Sequence, residues 1–296
     1  MKGLFAGLAK FVVAPAAVIT LLIVWLRPAP GQETVPFEEV EPGVHDFDFP
    51  AIWEFSFGDS EFFHLTINKP MVQLIVAAVA ILVFFIIASK KLRVVPKKWQ
   101  FGLEYAYDFI RSGVARDILG HGYEKHVPFL VGIFFLVLVN NWFGEFFLLM
   151  FPTWSTIGFT MGLVAVVFFY YVAAGVSEHG LKYFAVQVVP SGVPLWLYPL
   201  IIPLEILSSF VTRPLTLTIR LFGNMFAGHL AVLVFVVGGG WLITESSSWL
   251  YNYAGFGAFA LGLLVIAIEL FLGFMQAYLF TMLTTTYIAG AVSHGH

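Results

Sequence analysis

The chain has 296 residues, of which 59% are hydrophobic, only 11% are charged, and 33 are phenylalanine. Soluble domains carry about 25% charged residues, so this composition, with a mean hydropathy of +0.89, excludes an ordinary aqueous globule and points to lipid as the solvent. With a net charge of −3 and no basic stripe there is nothing to bind nucleic acid, and with no cysteine there are neither disulfides nor thiolate metal sites.

A membrane helix needs roughly 20 mainly apolar residues. Windows of that kind run about 11–26, 70–89, 129–151, 158–176, 197–238 and 258–292. They are continuous rather than alternating, which predicts helices and not barrel strands. Residues 1–30 carry Lys2 and Lys10 before the apolar run and Pro28, Ala29, Pro30 and Gly31 after it. They read as a retained helix or as a signal peptide. Residues 31–68 hold nine acids, from Glu33 to Glu61, with no Lys or Arg until Lys69; this acidic segment is expected outside the cell, and nothing in it indicates a role. Residues 69–296 form the expected membrane domain.

Lys90, Lys91, Arg93, Lys97 and Lys98 follow the second window and place that loop in the cytoplasm. Residues 99–122 mix Trp99, Phe101, Tyr105 and Phe109 with Glu104, Asp108, Arg111 and Arg116, at an imperfect helical period. They read as an amphipathic helix lying on the cytoplasmic interface. Lys182 marks a second cytoplasmic turn, and alternation then puts the C-terminus at His296 in the cytoplasm. The windows 197–238 and 258–292 are too long for upright spans at about 1.5 Å per residue, so both must be tilted, broken, or both. Pro194, Pro199, Pro203 and Pro214 offer places to break.

Beyond Lys182 the only Lys or Arg residues are Arg213 and Arg220. Arg213 precedes Pro214 near a helix start and reads as a snorkelling anchor or a cytoplasmic-side contact. Arg220 lies deep in an apolar stretch, where an arginine costs about 2.5–3.5 kcal/mol even on insertion scales. Its guanidinium keeps its proton, so it cannot relay protons, but it can bias a nearby carboxylate or stand as a fixed positive barrier. Asn224 is one turn beyond it, while His229 is about half a turn round the helix. Glu269 and Gln276 share a face of the last helix. A His and a Glu on neighbouring membrane helices form a titratable polar path, and Gly223, Ala227 and Gly228 allow close helix approach.

The stretch RPLTLTIRLFGNMFAGHL (213–230), the closing FMQAYLFTMLTTTY (274–287) and LVNNWFGEFF (138–147) resemble the signatures of ATP synthase subunit a. The likeness covers about 70–292. It implies an all-α membrane fold with five core transmembrane helices, a sixth N-terminal one if residues 1–30 are retained, and two long tilted C-terminal helices packed against a rotor ring. It implies a non-catalytic stator subunit in a bacterial-type inner or plasma membrane. Two proton half-channels meet the c-ring of small proteolipids, with subunit b as a further partner and the soluble F1 sector reached indirectly. No cofactor is implied.

Among residues, the resemblance gives Arg220 the place facing the ring carboxylates. Asn224 and Gln276 become its polar neighbours, and His229 with Glu269 a Glu/His pair in reversed order. Glu205 becomes an acid near the cytoplasmic half-channel, and Asn141, or else Asn140, the third-helix asparagine. Some relatives have an acid three residues after that asparagine; here Gly144 stands there and Glu145 follows, so Glu145 would serve the outer half-channel from a different angle. Two rival functions stay open on residues alone. A self-contained proton-coupled transporter would need matched broken helices, and an intramembrane metal hydrolase would need a spacing such as H-E-x-x-H; neither is seen.

Overall fold

The computed structural model describes residues 51–56, 64–90, 98–145, 152–188, 197–244 and 249–292. The segment 1–30 and most of the acidic stretch lie outside the described residues. The first described elements are strands, which the sequence reading did not anticipate. β1 (Ala51–Ser56) pairs antiparallel with β2 (His64–Asn68), Glu54 standing opposite Thr66. The ribbon runs straight into α1 (Lys69–Lys90), where the Asn68 side chain accepts the Met71 amide at 3.2 Å. That cap satisfies one of the free donors of a helix start.

The rest is helical. α2 (Lys98–Ile110) continues through a π-helical turn at Arg111–Arg116 into Asp117–Leu119; this turn explains the imperfect period of the amphipathic segment. There follow α3 (Val127–Glu145), α4 (Ile157–His179), the short α5 (Tyr183–Val188), α6 (Tyr198–Ile206), α7 (Arg213–Thr244) and α8 (Trp249–Val292). Among the described residues, five helical runs are long and apolar enough to cross a membrane: Lys69–Ser89, Val127–Glu145, Ile157–His179, Tyr198–Thr244 and Trp249–Val292. Their outward side chains are apolar. On α1, Ile75, Val79, Leu82 and Ile87 are exposed, as lipid contact requires.

The last two runs are longer than their apolar windows and unbroken. Tyr198–Thr244 has 47 residues and Trp249–Val292 has 44. At 1.5 Å per residue their contours measure roughly 70 and 66 Å, more than an upright span of a hydrocarbon core of about 30 Å needs. Pro199, Pro203 and Pro214 do not break the first run, and Pro194 lies outside the described residues. Pro203 sits inside α6, and the π-helical turn Leu207–Thr212 joins α6 to α7 ahead of Pro214. A π turn re-spaces the backbone hydrogen bonds that proline disturbs. The Ser209 carbonyl within it accepts the Tyr171 hydroxyl at 3.0 Å.

The chain divides into two compact units. In the unit Leu74–Asn140, Trp154–Gly223 and Phe274–His296, Phe109 packs between Phe134, Phe274 and Tyr278 at centroid separations of 5.5 to 6.4 Å. Gly175 leaves room for the Tyr183 ring, with which a methyl group would collide. Thr281, Thr284 and Thr285 are buried, and each hydroxyl donates to the carbonyl four residues earlier. The helix thus satisfies its own polar atoms in an apolar setting.

In the unit Met1–Gln73, Asn141–Thr153 and Asn224–Gly273, α7 and α8 approach through glycines. A Cβ on Gly255 would lie 2.8 Å from the Gly239 carbonyl oxygen, and one on Gly239 would lie 3.0 Å from the Phe259 nitrogen. Small residues at a membrane helix contact allow such backbone approach.

Candidate functional site

The end of α3 is tied to α8 by side-chain donors. Asn141 Nδ2 donates to the Gly273 carbonyl at 2.9 Å, and Trp142 Nε1 to the Leu270 carbonyl at 3.1 Å. Asn140, the alternative third-helix asparagine, donates instead to Leu136 of its own helix. One turn past Asn141, and so on the same face, Glu145 meets His229 of α7 and Glu269 of α8. His229 Nδ1 lies 3.1 Å from Glu145 Oε1 and 3.7 Å from Glu269 Oε2, and the three side chains are 4–7% exposed.

Two glycines make this convergence possible. A Cβ on Gly228 would run into the Glu269 carboxyl group, and one on Gly144 would lie 3.1 Å from His229 Cε1. Gly144 is the position at which the resemblance noted above implied an acid. Here it is the space His229 occupies, while Glu145 supplies the carboxylate. Gly223, by contrast, has open space where its side chain would be, so it makes no close helix contact.

An imidazole between two carboxylates, in a low-dielectric setting, is a set of proton acceptors at hopping distance. It is also costly to bury unless the groups pair with each other. The expected His229–Glu269 juxtaposition is found, and Glu145 joins it.

The remaining expected site residues are placed as follows. Arg220 is half-buried on α7, Asn224 is exposed, and Gln276 is buried on α8. Among the described residues no ion pair involves Arg220. Glu205 is not isolated, because Arg213 Nη2 stands 3.9 Å from its Oε1. Arg213 also lies over the Tyr287 ring, 5.6 Å from the centroid. The charge of Arg213 thus meets an acid and an aromatic ring of its own unit. The sequence did carry a signal for this pair. Glu205 and Arg213 are eight residues apart, and helical repeats put such positions on a common side.

Comparison with known proteins gives a consistent answer. The family model described as ATP synthase A chain matches residues 71–289. ATP synthase subunit a of a Nocardioides species is 43% identical over 262 residues, covering 86% of this chain and 94% of its own length. The subunit a of Pseudarthrobacter chlorophenolicus is 40% identical over 267 residues, covering 89% and 96%. That of Streptomyces lividans is 35% identical over 257 residues, covering 86% and 88%. With five membrane-length apolar helices and a family match across nearly all of them, the chain belongs to the ATP synthase A chain family, that of subunit a.

Proposed function

We propose that this protein is the stator of the proton path in an F-type ATP synthase: a multi-pass bacterial membrane subunit of the Fo sector, serving proton transport and ATP synthesis without a catalytic centre of its own. In this reading protons pass to and from the carboxylates of a c-ring through two offset half-channels, and subunit b holds the stator in place. Glu145, His229 and Glu269 act in the outer half-channel, and Glu205 in the cytoplasmic one. Asn224 and Gln276 supply polar neighbours to the arginine, and Asn141 holds α3 against α8. The positive charges at 90–98 and at Lys182 support a cytoplasmic C-terminus.

The observation that carries the reading is Arg220. It is a permanent charge within an apolar helix, half-exposed, with no ion pair among the described residues. A cation so placed calls for a carboxylate brought by another subunit. Opposite charge favours the ionised acid, so a ring carboxylate passing Arg220 gives up its proton there and takes up another beyond it. The same charge keeps protons from leaking between the half-channels.

The test is gradient-driven ATP synthesis in vesicles. Arg220→Ala should assemble with the complex yet synthesise only at background. Arg220→Lys should not restore coupling fully, because an ammonium in an apolar site gives up its proton more readily. Near wild-type synthesis by an assembled Arg220→Ala complex would refute the mechanism.

A further inference from the structure

The cluster at Glu145, His229 and Glu269 has a second chemistry. Each residue offers one donor atom, and the three donors lie within 4.8 Å of one another. Zinc binds imidazole nitrogen and carboxylate oxygen at about 2.0–2.2 Å in a tetrahedron, which sets neighbouring donors roughly 3.4 Å apart. The separations from His229 Nδ1, 3.1 and 3.7 Å, straddle that value. Neither Glu145 Oε1 nor His229 Nδ1 forms an aligned hydrogen bond, though both atoms are fully buried. The two atoms lie 3.1 Å apart, with Glu269 Oε2 3.7 Å from the imidazole nitrogen.

We propose that these three side chains form a binding site for a divalent transition metal of the zinc class. Two carboxylates and a neutral imidazole carry two negative charges, which a divalent ion cancels in a place where uncompensated charge is costly. A nitrogen donor and a low ligand number favour Zn²⁺ or Co²⁺ over Mg²⁺ and Ca²⁺, which take six or more oxygens. Three protein donors leave the fourth position for water. The donors come from three different helices, so no spacing in the sequence announces the site. Because the metal takes donors that protons otherwise occupy, its apparent affinity rises with pH. If the cluster is the outer proton path, as proposed above, the bound ion also stops proton flow, and this consequence alone rests on that reading.

The experiment uses the whole synthase complex, purified and stripped of loosely held metal. Zn²⁺ retained after desalting is measured by elemental analysis, and Co²⁺ is followed by the visible bands of its four-coordinate form. Wild-type complex minus variant complex isolates this site from metal held by other subunits. One Zn²⁺ per a-type chain is expected in the wild type. In His229→Gln and in Glu145→Gln its affinity should fall by roughly 100-fold or more, beyond the 10–100-fold typical of changes outside the ligand set. The exposed Glu178→Gln should bind as the wild type does. Two variants are used so that a failure of one to assemble leaves the other to decide. Equal metal retention in wild type and both variants, or no four-coordinate Co²⁺ signal in the difference, overturns the site. Zn²⁺ applied to the extracytoplasmic face should then inhibit ATP synthesis where equal Mg²⁺ does not. Metal bound at the cluster with synthesis unimpaired would keep the site and reject the cluster as the proton path.

Discussion

At the scale of single residues, the site depends on side chains that are missing as much as on those present. Gly228 is the clearest case, since the three nearest atoms that a methyl group there would meet all belong to the Glu269 carboxyl group. That group ends a flexible side chain and can swing away, so Gly228→Ala should leave assembly nearly intact while moving Glu269 off His229. ATP synthesis should fall well below the wild type; an assembled variant with full synthesis would mean that the contact is dispensable. The Glu205–Arg213 pair gives a second expectation. Both groups are partly open to solvent, at 35% and 26%, so their coupling is worth at most about 1 kcal/mol. Arg213→Ala should lower synthesis partially, not to background, and Glu205→Gln with Arg213→Ala should be less than additive in a double-mutant cycle. Strict additivity would show that the two do not act together. The chemistry-bearing residues were legible in the sequence because charge in an apolar run stands out. Glu145 was legible as an acid but not as a partner of His229, because that contact needs three helices in register and room beside Gly144.

At the scale of elements, the helices were visible in their apolar windows and their ends were not. The window ending at 238 stops at the glycine run 238–240, yet α7 continues to Thr244. Glycine weakens a helix by about 1 kcal/mol in isolation, but here Gly239 meets Gly255 backbone to backbone and the contact sustains it. Gly255→Ala would push a methyl group against a carbonyl oxygen at 2.8 Å, and backbone cannot step aside. A loss of about 1–3 kcal/mol is expected, read as earlier thermal inactivation of the purified complex. An unchanged inactivation temperature would argue against the close crossing. The π turns were likewise hidden, since nothing in composition marks one extra residue per turn. The start of α3 carries a pH-sensitive contact: His126 Nδ1 lies 3.0 Å from the Tyr170 hydroxyl. Burial holds this histidine below its ordinary value, with Lys125 adding to the effect and Glu178 opposing it. A depressed histidine contributes stability that is present above its unfolded value near 6.5 and is lost as pH falls. Protection of the amides around 126 and 170, corrected for the intrinsic pH dependence of exchange, should therefore fall as pH drops below about 6.5; a loss of protection only on the alkaline side would contradict this.

For the molecule as a whole, the five membrane-length apolar helices among the described residues could be read from the sequence. The β1–β2 ribbon could not, since its strands of six and five residues are far shorter than the apolar windows that reveal the helices. What most distinguishes the chain is that two of its helices greatly exceed the thickness they have to cross. An upright helix that meets a thicker bilayer must either leave apolar side chains short of the edge or stretch the lipid around it, at a fraction of a kcal/mol per ångström. A steeply inclined one compensates by rotating. For a helix of roughly 66 Å in a core of about 30 Å, a change of 3 Å in lipid is met by only about 3° of rotation. The surface that Tyr198–Thr244 and Trp249–Val292 present would keep its height and outline across lipids of different acyl length. Coupled synthesis in vesicles of short- and long-chain phospholipid should accordingly vary little at equal proton gradient, and a steep optimum at one chain length would show that these helices stand closer to upright. Length beyond what spanning requires would then serve as a tolerance for changes in bilayer thickness.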